Sequence, residues 1–93
     1  MILEIVSPEA KLFSGEVTSV FLPGISGSFQ ILNNHAPIVS TLGAGLVKIT
    51  ATTFDFGKEV ADKFTKLNDQ NFTLGIQSGT IEMKDNKVIV LVD

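Results

Sequence analysis

LPGISGSFQILNNHAPIVSTLGAGLVKI, residues 22–49, is the stretch on which the fold of this 93-residue chain turns. It joins a Pro-Gly turn, a second glycine, a short apolar run, an Asn-Asn-His-Ala-Pro corner, another apolar run and a Gly-Ala-Gly break. Turn formers this dense imply several short strands reversing direction around a small core. Pro23 and Gly24 occupy the second and third positions of a turn over residues 22–25, the type II signature in which glycine accepts positive φ. His35, the only imidazole of the chain, lies in the same stretch. No group of residues there could carry covalent chemistry, so the stretch reads as part of a binding or scaffold module rather than an enzyme.

Outward from this segment, strand patterns continue. Residues 1–6 read as an opening strand, residues 7–10 as a turn and residues 16–22 as the next strand. Val47, Ile49 and Ala51 alternate with Lys48, Thr50 and Thr52, Phe72, Leu74 and Ile76 with Thr73, Gly75 and Gln77, and Ile81 and Met83 with Thr80, Glu82 and Lys84. Period two with one apolar face marks antiparallel strands covered on one side. Asp85-Asn86 between two lysines reads as a two-residue hairpin turn whose residues both tolerate positive φ. Residues 88–92 are apolar on both faces, which predicts a central strand or one whose outer face meets a partner. One segment departs from period two. Phe56, Val60, Phe64 and Leu67 recur at helical spacing, and Glu59–Lys63, Lys58–Asp62 and Asp62–Lys66 are opposite charges four apart. Asp55 and Asn68 suit its two caps. The alternative is a long hairpin excursion. The expected fold is all-β: a flattened sandwich or barrel of about eight to ten mostly antiparallel strands, with a short helical or hairpin insertion around residues 53–71.

Composition bounds the function. At this length the chain forms a single domain over residues 1–93, and such a domain buries only roughly 60–65% of the surface its unfolded form exposes. Yet 44% of the residues are hydrophobic and the mean hydropathy is +0.35. Apolar side chains are therefore expected on the surface, where contiguous patches mark partner sites. Cysteine is absent, which removes disulfides and thiolate metal sites. The net charge is −3, with no arginine, tryptophan or tyrosine. That is a poor set for nucleic acid, and no nucleic-acid partner is expected. The longest apolar run, residues 88–92, is far too short to cross a bilayer. With Met1 leading straight into Ile2-Leu3-Glu4-Ile5-Val6 and no basic n-region, no secretory leader is expected. Any membrane association is expected through a protein partner, without direct insertion.

Candidate chemistry is sparse. A lone His without Cys cannot build an ordinary zinc site, so no metal site is expected. Ser40 is near His35 in sequence, but no acid lies between Glu16 and Asp55 to complete a triad. Residues 24–27 enter a strand rather than a helix and lack the Lys-Ser/Thr ending of a phosphate loop. The ten acids show no paired spacing. No catalytic residue and no cofactor is assigned.

The pattern Leu22-Pro23-Gly24, Gly27, Phe29, Ile31-Leu32, His35-Ala36-Pro37, Leu42, Gly45, Val47, Ile49 resembles the N-terminal domain of the epsilon subunit of F-type ATP synthase. Ile5-Val6-Ser7-Pro8-Glu9 and Leu12-Phe13-Ser14-Gly15-Glu16-Val17 resemble that family's opening, and residues 78–83 and 86–93 its closing hairpin. The resemblance covers residues 1–52 and 72–93. Asn33-Asn34 stand where the family often has Pro-Gly, Ser28 where an acid is common, and residues 53–71 exceed the usual excursion. Family members commonly continue into a helical hairpin that restrains ATP hydrolysis; a chain ending at Asp93 could not act by that route.

The resemblance implies a non-catalytic rotor subunit of a proton-translocating ATP synthase, bridging the gamma subunit of the central stalk and the polar loops of the membrane c-ring. It implies gamma contacts at Ser7 and His35, and c-ring contacts at Ile25, Ser26, Gly27, Ser28, Phe29, Ala36, Pro37 and Ile38. With Met1 opening the chain, it implies a peripheral place on the cytoplasmic face of a bacterial inner membrane. The rival reading is a stand-alone β-sandwich binding a small ligand. Seven Phe with no Tyr or Trp suit that poorly, and a deep polar pocket would favour it. An enzyme would need an acid within hydrogen-bond reach of His35.

Overall fold

The computed structural model describes residues 1–56 and 63–93. Among them are nine strands: β1 (Ile2–Val6), β2 (Lys11–Leu22), β3 (Phe29–Leu32), β4 (Ile38–Leu42), β5 (Gly45–Phe56), β6 (Phe64–Lys66), β7 (Asn71–Ile76), β8 (Gly79–Lys84) and β9 (Lys87–Val92). They hydrogen-bond in the order β4-β8-β9-β1-β2-β5-β7-β6, with β3 beside β2. All pairs are antiparallel except β1–β9. The sheet folds over on itself without closing into a barrel, so the expected all-β sandwich is what forms. β9 is central, between β8 and β1, as its two apolar faces predict.

Two long strands make the fold-over possible. β2 pairs with β1 through its first half and with β3 through its second, while β5 runs along its other edge. The β2–β5 register slips twice. Glu16 pairs with Thr53 but Val17 with Ala51, leaving Thr52 extra; Ser19 then pairs with Thr50, leaving Thr18 extra. Each extra residue is a threonine, and its hydroxyl donates to a carbonyl of the opposite strand: Thr52 to Glu16 at 3.2 Å and Thr18 to Thr50 at 3.4 Å. Bulges of this kind bend a strand and increase its twist. They also shift the inward phase of β2, from Phe13 and Val17 to Val20 and Leu22, all buried.

The core lies between the two layers so formed. Leu3, Ile5, Leu42, Ile81, Met83, Val88 and Val90 from one side meet Val20, Leu22, Ile31, Val47, Ile49 and Leu74 from the other. No buried side-chain polar atom among the described residues lacks a partner. Lys87 at the start of β9 pairs with Glu4 on the outer face at 3.1 Å.

The structure corrects three sequence expectations. β2 starts at Lys11, five residues earlier than read. Gly15 lies within it at a close approach to β5, where a Cβ would stand 2.4 Å from the Thr53 carbonyl oxygen. The tight turn of the first loop is at residues 24–27 rather than 22–25. The Gly27 amide donates to the Gly24 carbonyl at 3.0 Å, and the positive φ falls on Gly27, at 130°, not on Gly24. Finally, the helical reading of residues 56–67 fails where it can be followed. Residues 57–62 lie outside the described residues, but Phe56 ends β5 and residues 64–66 form β6, paired with β7. Asp55 pairs with Ser14 in the ladder instead of capping a helix. The Asn68 side chain accepts from the Gln70 and Asn71 amides, closing a turn into β7. The hairpin alternative describes these flanks: once Phe64 is buried beside Phe13, with ring centroids 6.1 Å apart, strand pairing outweighs the local helical spacing.

Other turns follow the sequence. Asp85 and Asn86 adopt φ of 53° and 60° in the β8–β9 hairpin. Asn34 takes φ 62°, and the His35 amide donates to the Leu32 carbonyl at 3.2 Å. Asn therefore serves in the left-handed position of this corner.

Two stability predictions follow from this packing. Ile5→Ala, at a fully buried site, should lower unfolding free energy by roughly 2–4 kcal/mol in urea titrations. Val39→Ala, at a site 78% exposed, should change it by no more than about 0.5 kcal/mol. At the corner, Asn34→Gly should be tolerated and Asn34→Val should cost about 1–2 kcal/mol, because a β-branched residue resists positive φ; equal midpoints for the two would contradict the turn geometry.

Candidate functional site: two rims and the face between them

β4 and β1 carry the candidate residues to two separate rims. At the first rim, Leu42 pairs with Gly79, Gly79 with Val92, and Leu91 with Val6. Ser7 follows Val6 and closes a turn by exchanging backbone hydrogen bonds with Ala10. The loop of residues 24–28 joins this rim: Gly24 bridges Leu42 and the Ile25 amide donates to the Thr41 carbonyl at 3.0 Å. Gly24 has room for no side chain, since a Cβ would sit 2.5 Å from the Gly27 oxygen and against the Phe29 ring. The tight base presents Ile25, Ser26, Gly27 and Ser28 to solvent, with Ile25 at 70% exposure. Phe29 begins β3 and is half-buried against the core.

The second rim is the corner of residues 33–37 with the β8–β9 turn beside it. His35, Ala36 and Pro37 are exposed, and Ile38 is half-buried at the start of β4. His35 Nδ1 lies 2.7 Å from the Ala36 carbonyl oxygen. A carbonyl only accepts, so Nδ1 carries the proton. The imidazole thus bonds to the backbone of the corner itself. The corner is tied from two directions: the Met1 amine donates to Asn33 Oδ1, and the Asn34 amide to Asn86 Oδ1 at 2.8 Å.

The expected site residues therefore do not gather in one place. Ser7 shares a rim with residues 25–28, and His35 shares the other with residues 36–38. The five residues of β4 separate the rims by about 13 Å at strand rise. Two surfaces join them. One is the outer face of β4-β8-β9-β1, where Val39 is 78% and Leu91 52% exposed and Ile89 and Val6 are half-buried. Ile89 and Leu91 belong to the run of residues 88–92 read as apolar on both faces, whereas no sequence signal singles out Val39 or Val6. The other is the open edge between β3 and β4, with residues 25–28 at one end and 36–38 at the other.

An open groove of about 630 Å³ runs along the first rim, lined by Val6, Pro8, Leu91, Thr41 and Ser7 among others. Most of its wall is apolar. No group of three His, Cys, Asp or Glu able to hold a metal exists among the described residues. No helix among them is long and apolar enough to cross a membrane.

Comparison with known proteins accounts for this architecture. The family model for the β-sandwich domain of ATP synthase delta/epsilon chains matches residues 1–93. An ATP synthase epsilon chain of Leptospira interrogans is 38% identical over 91 residues, which span 98% of this chain and 59% of the relative. One of Chlorobium limicola is 37% identical over 91 residues, spanning 98% of this chain and 86% of its own length. Among solved structures, a chain in the central stalk and c-ring of the Tetrahymena thermophila mitochondrial ATP synthase superposes with a TM-score of 0.68. That superposition covers 99% of this chain and 62% of the other at 19% identity, so the likeness is one of fold. This chain spans about 59% of the length of the Leptospira relative. With its whole length matched by the family model, the chain belongs to the ATP synthase delta/epsilon family, as its β-sandwich domain.

Proposed function

We propose that this chain, as one sandwich unit over residues 1–93, works as the epsilon-type subunit of the central stalk of an F-type ATP synthase. The observation that carries the proposal is the family match over its whole length. In this role it catalyses nothing itself. It bridges the gamma subunit and the c-ring, and couples proton flow through the ring to ATP synthesis. Transmitting torque between two partners favours a close-packed body without slack, and a core whose largest members are fully buried supports that use. The exposed Val39 and Leu91 gain a purpose as apolar contact area. The subunit would lie peripherally on the cytoplasmic face of a bacterial inner membrane, held there by the ring.

The separation of the rims constrains how the two partners divide the surface. A gamma subunit touching both Ser7 and His35 must lie along the outer face of β4-β8-β9-β1. A ring touching residues 25–29 and 36–38 must lie along the open β3/β4 edge. Both surfaces run the length of β4, one on its face and one on its edge, so both partners are accommodated together.

Calorimetric titration against the gamma subunit from the same source tests this. The wild-type chain should bind one to one. His35→Ala and Val39→Asp should each weaken binding roughly three- to thirtyfold, or about 0.7–2 kcal/mol, with urea midpoints unchanged because both sites are exposed. A wild-type chain indifferent to gamma would sink the proposal. Binding unaffected by either substitution would place gamma elsewhere on the surface.

A further inference from the structure

The His35 corner is held by a group far away in sequence. Asn34 exposes its amide at φ 62°, and that N–H donates at 2.8 Å to Oδ1 of Asn86, 52 residues further along. Asn86 is itself fixed. It sits at φ 60° in the β8–β9 turn, and its carbonyl accepts the Ile2 amide at 3.1 Å. Its side chain is thus presented from a rigid hairpin anchored to β1.

The corner needs such a support. It lies where β3 has left β2 and β4 has not yet begun, so no ladder bonds hold residues 33–37. The residues at its apex are Asn33 and Asn34, whose backbones are freer than that of a proline. The internal bonds of the corner are short-range, from the His35 amide to Leu32 and from the His35 ring to Ala36. The Asn86 bond is the one that ties its backbone to another strand pair.

We infer that Asn86 is a positioning residue for the His35 corner: its side-chain carbonyl latches the Asn34 amide and holds His35, Ala36 and Pro37 in the conformation a partner meets. Within the reading proposed above, that partner is the gamma subunit at His35. Preordering a contact loop before binding removes the cost of ordering it on binding. The latch is exposed, so its effect on global stability is small and its effect on the corner local.

Two substitutions at one position separate the side chain from the turn. Asn86→Gly keeps the positive φ of the hairpin and removes the acceptor. Asn86→Asp keeps an acceptor oxygen and tolerates the same φ. By amide exchange in the full chain, Asn34 should exchange roughly three- to tenfold faster in Asn86→Gly, the range expected for losing one neutral hydrogen bond, and near the wild-type rate in Asn86→Asp. Affinity for gamma should fall by a similar factor in Asn86→Gly and recover in Asn86→Asp, at constant urea midpoint. An Asn34 amide whose exchange is the same in wild type and Asn86→Gly overturns the latch, whatever gamma does. Faster exchange with gamma affinity unchanged overturns the positioning role alone. A wild-type chain that fails to bind gamma overturns both that role and the functional reading beneath it.

Discussion

The double bulge between β2 and β5 is the constraint on which the rest of the structure depends. Both strands are twelve residues long. A regular ladder of that length would keep one face of β2 inward throughout, and the Val20 and Leu22 side chains would then point to solvent. The extra Thr18 and Thr52 shift the phase on each strand in turn. β2 can then serve β1 with one half and β3 with the other while every inward side chain stays in the core. At the bulges the Thr18 and Thr52 hydroxyls donate to the Thr50 and Glu16 carbonyls.

The bend also sets the functional geometry. It carries the end of β2 back toward β4, where Gly24 bridges Leu42 and the loop of residues 24–28 meets the Ser7 rim. It leaves β3, paired to β2, and β4, paired to β8, with no ladder between them, which creates the open edge. A closed barrel would have no such edge and no free corner at residues 33–37. The two surfaces assigned to the two partners are thus consequences of where the sheet turns and where it stays open.

Much of this was legible in the sequence because it depends on local rules. The alternations of residues 47–52, 72–77 and 80–84 became β5, β7 and β8, and the apolar residues 88–92 became the central β9. Asp85 and Asn86 adopted the positive φ expected of a two-residue hairpin. What escaped has non-local causes. The strand reading starts only at Glu16 until β5 is placed against Gly15, and Gly24 reads as a left-handed position until Gly27 and Phe29 close around it. The helical spacing of residues 56–67 carries no sign that Phe64 pairs with Leu74. The spatial grouping of the motif residues was not readable in the sequence. Ser7 and His35 stand at opposite ends of the same face, and the bond between Asn34 and Asn86 leaves no trace in either local sequence.

The chain has no cysteine, so single cysteines can report its neighbours in an assembled ATP synthase without background. Disulfide cross-linking from Ser7→Cys, His35→Cys, Ser26→Cys and Ala36→Cys, against cysteines scanned through gamma and the c-ring loops, tests the central claim directly. The account predicts that positions 7 and 35 link to gamma and positions 26 and 36 to the ring. Links divided instead by rim, with 7 and 26 reaching one partner and 35 and 36 the other, would contradict the lengthwise placement of both partners along β4.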